Sequence, residues 1–269
     1  MEILEYRGVE GLVAAEVLTD NDTDGYTTGA VFPIAGVAEI QKTTDSSNEA
    51  HYYDNIPAVV VSNTSSDTVT ISASAIPLDV VGKLTGQTYD ADTGALIEEV
   101  RTLKYFAIGY KTKKTNGDEI YVWRYKGSFQ IPDEDNITED NSTSANGQQL
   151  IYTGISTTHH FELTGKSAKA IAVDVAKDLA DVSAFFSTVT TPDTLTAKAE
   201  YTLSITQGAS TTLTVKKNGV ALANNDKIHA GDQLVITVTG GTVTVNSTAF
   251  ISGNIHVVTG NTTVVSTAG

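Results

Sequence analysis

Three groups of residues in this chain have types and spacings that do chemistry elsewhere: an Asp-rich hexapeptide, a histidine pair and a run of carboxylates. Asp20-Asn21-Asp22-Thr23-Asp24-Gly25 fits the first half of a calcium loop, in which alternate oxygens wrap the ion and glycine makes the bend. An EF-hand pattern then requires Glu at its twelfth position, and that place holds Val31. The hexapeptide reads better as an Asx-rich turn, because Asp and Asn are the ordinary turn residues. His159-His160 is the one histidine pair, with Glu162 nearby. Adjacent strand residues point to opposite faces, so the pair does not readily chelate one metal. Asp133, Glu134, Asp135, Glu139 and Asp140 have no histidine or apolar wall beside them to raise a carboxyl pKa, and they read as a solvated loop. No phosphate-binding glycine loop, nucleophile elbow or HExxH occurs. The expectation is a protein that is not an enzyme, with no catalytic residue, no cofactor and no metal.

Composition narrows the class further. The 269 residues suffice for one large β domain or two smaller ones, and with no cysteine neither disulfides nor thiolate metal sites contribute. Net charge is −15, unevenly spread: residues 196–269 hold four lysines against three carboxylates, so the other 195 residues carry −16. Such a body repels nucleic acid, whose affinity comes mostly from Lys and Arg displacing counterions. The first residues lack the basic start and long apolar run of a signal peptide, and no stretch is long and apolar enough to span a bilayer. Asn-x-Ser/Thr triplets at Asn21, Asn63, Asn136, Asn141, Asn246 and Asn261 are read as composition rather than glycosylation.

The elements that would position these residues are mostly strands. Tyr105 to Thr112 and Glu119 to Phe129 are rich in aromatic and β-branched residues, and Asn116-Gly117 between them accepts the positive φ of a tight hairpin. Tyr121, Trp123 and Tyr125 fall on one face of the second strand; Ile120, Val122, Arg124 and Lys126 fall on the other. Both faces carry bulk, which fits either a central strand of a sandwich or a strand with a core on one side and another subunit on the other. Earlier strands are expected at Val9 to Leu18, Ala35 to Thr43, Ala58 to Val61 and Thr68 to Ala73, with a turn at Thr19 to Gly29. The polar stretch from Thr43 to Pro57 is a long loop or the tip of an extended hairpin. Pro77, the spacing of Leu78, Val81 and Leu84, and Gly86 predict one short helix over 76–84. A later strand is expected at Gln149 to Leu163, Ala168 to Val175 is an apolar run, and Leu179, Val182, Phe185 and Phe186 have the spacing to close a short second helix. Ser187 to Thr196 reads as a linker, and 197–269, rich in Thr, Val, Asn and Gly with hairpin signals at Asn218-Gly219 and Gly231-Asp232, reads as a small Ig-like β-sandwich. The predicted fold class is mainly β: a β-sandwich domain with one flanking helix and long loops over 1–190, a linker at 191–196, and an Ig-like domain at 197–269.

Several blocks then resemble a family. GVEGLVAAEV from Gly8, HYYDNIPAVVVSNTSSDTVTISASAIPLDVVGKLTGQTYD from His51, YFAIGYKTKKTNGDEIYVWRYKGSFQIPDED from Tyr105 and GKSAKAIAVDVAKDLADVSAFF from Gly165 are similar, in order and spacing, to the major tail tube protein of long, flexible-tailed bacteriophages. One departure is Ser167, where relatives tend to place an aromatic after the Gly-Lys. The resemblance covers most of residues 1–190. It implies β-sandwich protomers with a flanking helix, closing into hexameric rings that stack into a hollow tube through which the genome leaves the capsid. It further implies assembly in the host cytoplasm, a place in the virion tail, and partnership with itself and with tape-measure, tail terminator and tail-tip proteins. DNA would pass the lumen without specific binding, which gives the acidic charge a use, and the C-terminal domain would project as a decoration. Under this reading the loop from Thr44 to Pro57 reaches the adjacent ring, with Glu49, His51, Tyr52, Tyr53, Asp54 and Asn55 as interface residues. The rival from another class is a bacterial surface adhesin or stalk protein built of Ig-like modules. A β-sandwich glycan hydrolase would need two carboxylates facing an aromatic cleft, and the sequence names no such pair.

Overall fold

The computed structural model describes residues 3–133 and 147–269. It is mainly β, and α1 (Leu78–Thr85) is the one α-helix among the described residues. Two compact units are present: the first runs to Lys177 and resumes over Val182–Leu195, and the second comprises Asp178–Asp181 and Thr196–Gly269. The chain therefore crosses for good at 195/196, inside the segment read as a linker, after Asp178–Asp181 has already joined the second unit.

The first unit contains β1 (Tyr6–Asn21), β2 (Gly25–Thr28), β3 (Phe32–Pro33), β4 (Val37–Tyr53), β5 (Ile56–Ala73), β6 (Thr88–Asp90), β7 (Ala95–Ile97), β8 (Phe106–Lys114), β9 (Glu119–Phe129), β10 (Gln148–Ile155) and β11 (Ala170–Asp174). The main sheet runs β2-β1-β8-β9-β10-β5-β4, with β3 added to β1 and β11 to β9, while β6 and β7 pair separately. Thr19 to Gly29 is not all turn: only its centre bends, and Gly25–Thr28 returns as β2 against the end of β1. The short helix forms as its signals predict, with Pro77 at its N-cap and Gly86 at φ 74° ending it. Val81 and Leu84 enter the core while Leu78 stays exposed, so only part of the expected apolar stripe is used.

β9 is a central strand with both faces covered, pairing β8 on one edge and, on the other, β11 through Ala170–Asp174 and β10 near its end. Phe106 faces Gly127 while Ile108 faces Arg124, so one extra residue bulges in β9. The bulge resets the alternation: Phe129 joins Val122, Phe106, Ile108, Val69, Ile71, Leu150 and Tyr152 in one core. On the opposite face Trp123 and Tyr125 are fully buried. Phe185 and Phe186 cover Tyr121 and Trp123, and Phe161 and Tyr26 cover Tyr125.

That covering corrects the expected second helix. Residues 183–189 are turns, with Phe185 N–H donating to Val182 O and Ser187 N–H to Ala184 O. The segment lies flat on β9, where the indole N–H of Trp123 donates to Phe185 O at 2.7 Å. The stretch read as a linker is likewise not solvent-bathed, since Val189, Thr190 and Thr191 are buried. The expected strand from Gln149 to Leu163 ends at Ile155, and Ser167 is exposed, so no aromatic is required there.

In the second unit β12 (Glu200–Thr206), β13 (Thr212–Lys217), β14 (Val220–Ala221), β15 (Lys227–His229), β16 (Gln233–Thr239), β17 (Gly241–Val245), β18 (Thr248–Phe250), β19 (Ile255–Val257) and β20 (Thr262–Ala268) form a sandwich of two sheets, β15-β12-β20-β17-β18 and β14-β13-β16-β19. Leu203, Val215, Ile228, Leu234, Ile236, Val243, Val245 and Val264 fill it. β12 and β20 are parallel, tying the two ends of the unit together. Asn218-Gly219 makes the expected hairpin between β13 and β14. Gly231-Asp232 does not close a hairpin: β15 pairs β12 and β16 pairs β13, so this turn carries the chain from one sheet to the other.

Candidate functional site

The polar stretch from Thr43 to Pro57 forms an extended hairpin. β4 and β5 stay paired from Val37↔Ala73 out to Tyr53↔Ile56, while β10 covers β5 only along Asp67–Ala73. Beyond Asp67 the two strands therefore run on as an arm that no third strand joins among the described residues. Asp54 and Asn55 turn its tip at φ 51° and 62°, the positive pair that a two-residue hairpin of type I′ requires. Tyr53, Ile56, His51 and Val59 are cross-strand neighbours on one face, and Ala50 and Val60 pair on the other, which Tyr52 shares. Tyr52, Tyr53, Ile56 and Val60 are each about two-thirds exposed, between 64% and 66%. All six residues expected at an interface, Glu49, His51, Tyr52, Tyr53, Asp54 and Asn55, thus lie together near or at the tip of this arm and are exposed.

The Asp-rich hexapeptide and the histidine pair, separate in the sequence reading, meet in space. Asp20 accepts the N–H groups of Thr158 and His159 at 2.9 Å and Lys126 Nζ at 2.5 Å. Asp22 accepts His160 N–H at 2.7 Å and lies 2.9 Å from His160 Nδ1. Asn21 Oδ1 receives the N–H groups of Thr23 and Asp24, the Asx turn expected. The oxygens that a calcium ion would need are thus directed at N–H donors, and the arrangement is a lock between two loops. Burial works against a charged Asp20, but the His159 N–H, Lys126 and the Thr158 N–H outweigh it and hold its carboxyl below the usual range. Near the pair, the N–H groups of Glu162 and Leu163 are bound by the Asp193 carboxylate. In the acidic run Asp133 bridges to Gln149, while Glu134, Asp135, Glu139 and Asp140 lie outside the described residues.

A cluster that the sequence reading missed lies in the second unit, where ligand atoms of Asp178, His229 and Asp232 come within 4.8 Å of one another. Lys217 Nζ sits 2.7 Å from Asp178 and 2.8 Å from Asp232, and Lys198 bonds Asp178 as well. Despite burial, Lys198 and Lys217 hold the Asp178 carboxyl far below the ordinary range. Two ammonium groups already neutralise the two carboxylates, so a metal ion would have to displace both, and the cluster reads as an ion-pair network. No spacing signal could have revealed it, because Asp178 lies more than fifty residues before His229 and Asp232 in the chain. Two of the Asn-x-Ser/Thr asparagines serve turns here, Asn246 accepting from Thr263 N–H and Asn261 from Thr202 N–H.

Among the described residues no helix is long and apolar enough to cross a membrane. Fold and surface together define a two-unit, mainly β protein that carries exposed apolar side chains on a two-stranded arm. No family model and no curated protein matches the chain.

Proposed function

We propose that this chain is a structural virion protein, the subunit that assembles into stacked hexameric rings and so forms the hollow tail tube of a long, flexible-tailed bacteriophage. The observation that carries the reading is the arm from Ser46 to Thr64. A two-stranded hairpin is at best marginally stable in water by itself, and this one exposes Tyr52, Tyr53, Ile56, Val59 and Val60. Such an element gains its stability when another surface covers it, and in a self-assembling subunit that surface is another copy. The resemblance of residues 1–190 supplies the kind of assembly. The charge of −16 outside residues 196–269 supports it, because a lumen that passes DNA without holding it is best lined with carboxylates. The same reading gives the protein no catalytic role, places it in the tail, and makes tape-measure, terminator and tip proteins its other partners. Electron microscopy of the purified chain is the test: six-fold rings or hollow tubes are expected, and a strictly monomeric protein at millimolar concentration would overturn it.

A further inference from the structure

The Asn-Gly dipeptide occurs at Asn116, Asn146 and Asn218, and Asn146 lies outside the described residues. The other two sit at exposed turns of different geometry. Between β8 and β9 Gly117 alone has a positive φ, 92°, and its N–H donates to Lys114 O at 2.9 Å. The Asn116 side chain is held at both of its polar atoms: Nδ2 donates to Asp118 Oδ2 at 2.8 Å, and Oδ1 accepts the Asp118 N–H at 3.1 Å. The turn between β13 and β14 is instead a type I′ pair, with Asn218 at φ 50° and Gly219 at φ 82°. Among the described residues nothing hydrogen-bonds the Asn218 amide or the Gly219 N–H. Asn218, Gly219 and both residues of β14 are exposed.

We propose that Asn218 is a self-modifying site, at which Gly219 N displaces the side-chain amide, and that the Asn116 turn suppresses the same chemistry. A flip of the central peptide from type I′ to type II′ takes the Asn218 ψ to about −120°. At that ψ Gly219 N eclipses the Asn218 β-carbon and comes within reach of Cγ, while Lys217 and Val220 stay paired. No hydrogen bond within the turn opposes the flip. At Asn116 the same rotation breaks the Gly117 bond to Lys114 and both bonds to Asp118, and the Asp118 carboxylate disfavours the nitrogen anion that attacks. In the reaction a bond forms between Gly219 N and Asn218 Cγ, the Cγ–Nδ2 bond breaks, and the Gly219 proton leaves with Nδ2 as ammonia. Water then opens the cyclic imide: at the side-chain carbonyl it gives Asp, and at the main-chain carbonyl it gives isoaspartate, whose backbone runs through Cβ and Cγ. Either product sets a fourth carboxylate against the four lysines of residues 196–269. Isoaspartate also lengthens the main chain by a methylene, which a two-residue turn does not hold in register. The strain falls on Lys217, whose Nζ joins Asp178 to Asp232, so the modification is transmitted to the ion-pair network.

Incubation of the full-length chain at mildly alkaline pH, followed by peptide mapping with electron-transfer fragmentation, tests this. In the folded protein Asp and isoaspartate are expected to accumulate at position 218 about tenfold or more faster than at position 116. In denaturant, where neither turn persists, the two positions are expected to react within about threefold of one another. Equal rates in the folded chain, or an Asn218 that stays intact, would refute the site. A tenfold preference that survives denaturation would assign it to the flanking sequence and overturn the role given to the turns. Asp118→Ala, outside the core, releases the Asn116 amide. Modification at position 116 is expected to rise by about threefold or more, and an unchanged rate would overturn the protection assigned to Asp118.

Discussion

Gly109 faces Trp123 across β8 and β9, and a β-carbon there would lie 2.9 Å from the indole ring. The ring is fully buried and tied by its N–H to Phe185 O, so it has no room to yield. Gly109→Ala is therefore expected to lower stability by about 1–3 kcal/mol in chemical denaturation, and an unchanged midpoint would show that the ring shifts freely. Asp20 gives a second prediction, in pH. Its folded-state carboxyl is held below its ordinary value of 3.8, so the stability it contributes is fully present above that value. That contribution is lost as pH falls from there through the lower folded-state value. Asp20→Asn should cost roughly 1.5–3 kcal/mol at neutral pH, and its stability should decline less steeply than that of the parent below pH 3.8. Parallel acid profiles would mean that the lock to Lys126 does not depend on charge. The turn around Asp20 was legible because Asx residues announce it. Its partners were not, because the N–H groups of Thr158, His159 and His160 belong to the backbone and leave no mark on residue type.

Hairpins and the helix were legible at the level of elements wherever local chemistry decides them. Asn116-Gly117, Asn218-Gly219 and the Pro77 to Gly86 punctuation all produced the element expected. The second helix failed for a tertiary reason. Leu179, Val182, Phe185 and Phe186 have helical spacing, but both phenylalanines are needed on the face of β9, and a turn-rich segment lays them there side by side. The bulge in β9 was equally hidden, since a register shift depends on the partner strand. The residues of the arm do not choose between loop and hairpin, because they lack a buried face and so show no period-2 alternation. Removing its tip, His51 to Asn55, deletes exposed residues and leaves the paired sheet from Asp67 onward untouched. The shortened chain is expected to fold as a monomer with a normal melting curve and to form no tubes; tubes of ordinary length from it would remove the arm from the assembly.

Across the whole molecule, the change in composition near residue 196 marked the second unit, and the charge split followed it. The sequence did not disclose that Val182–Leu195 belongs with the first unit, because a Thr-rich, Pro-containing stretch resembles a linker whether or not it is packed. This distinction separates two truncations. A chain ending at Leu195 keeps Phe185 and Phe186 over Tyr121 and Trp123 and loses only the sandwich of 196–269, which under the proposed function decorates the outside. It is expected to fold and to form tubes of the same bore. A chain ending at Lys177 loses that cover, exposes Trp123 and strips its N–H of an acceptor. Uncovering a large side chain costs about 1.5–3 kcal/mol, and here two aromatic rings, Tyr121 and Trp123, lose their cover at once. This chain should melt far below the first or aggregate on expression. Thermal melts and electron microscopy of the pair decide the matter: if the chain ending at Leu195 is folded yet forms no tubes, the C-terminal unit takes part in assembly, and the decoration reading falls.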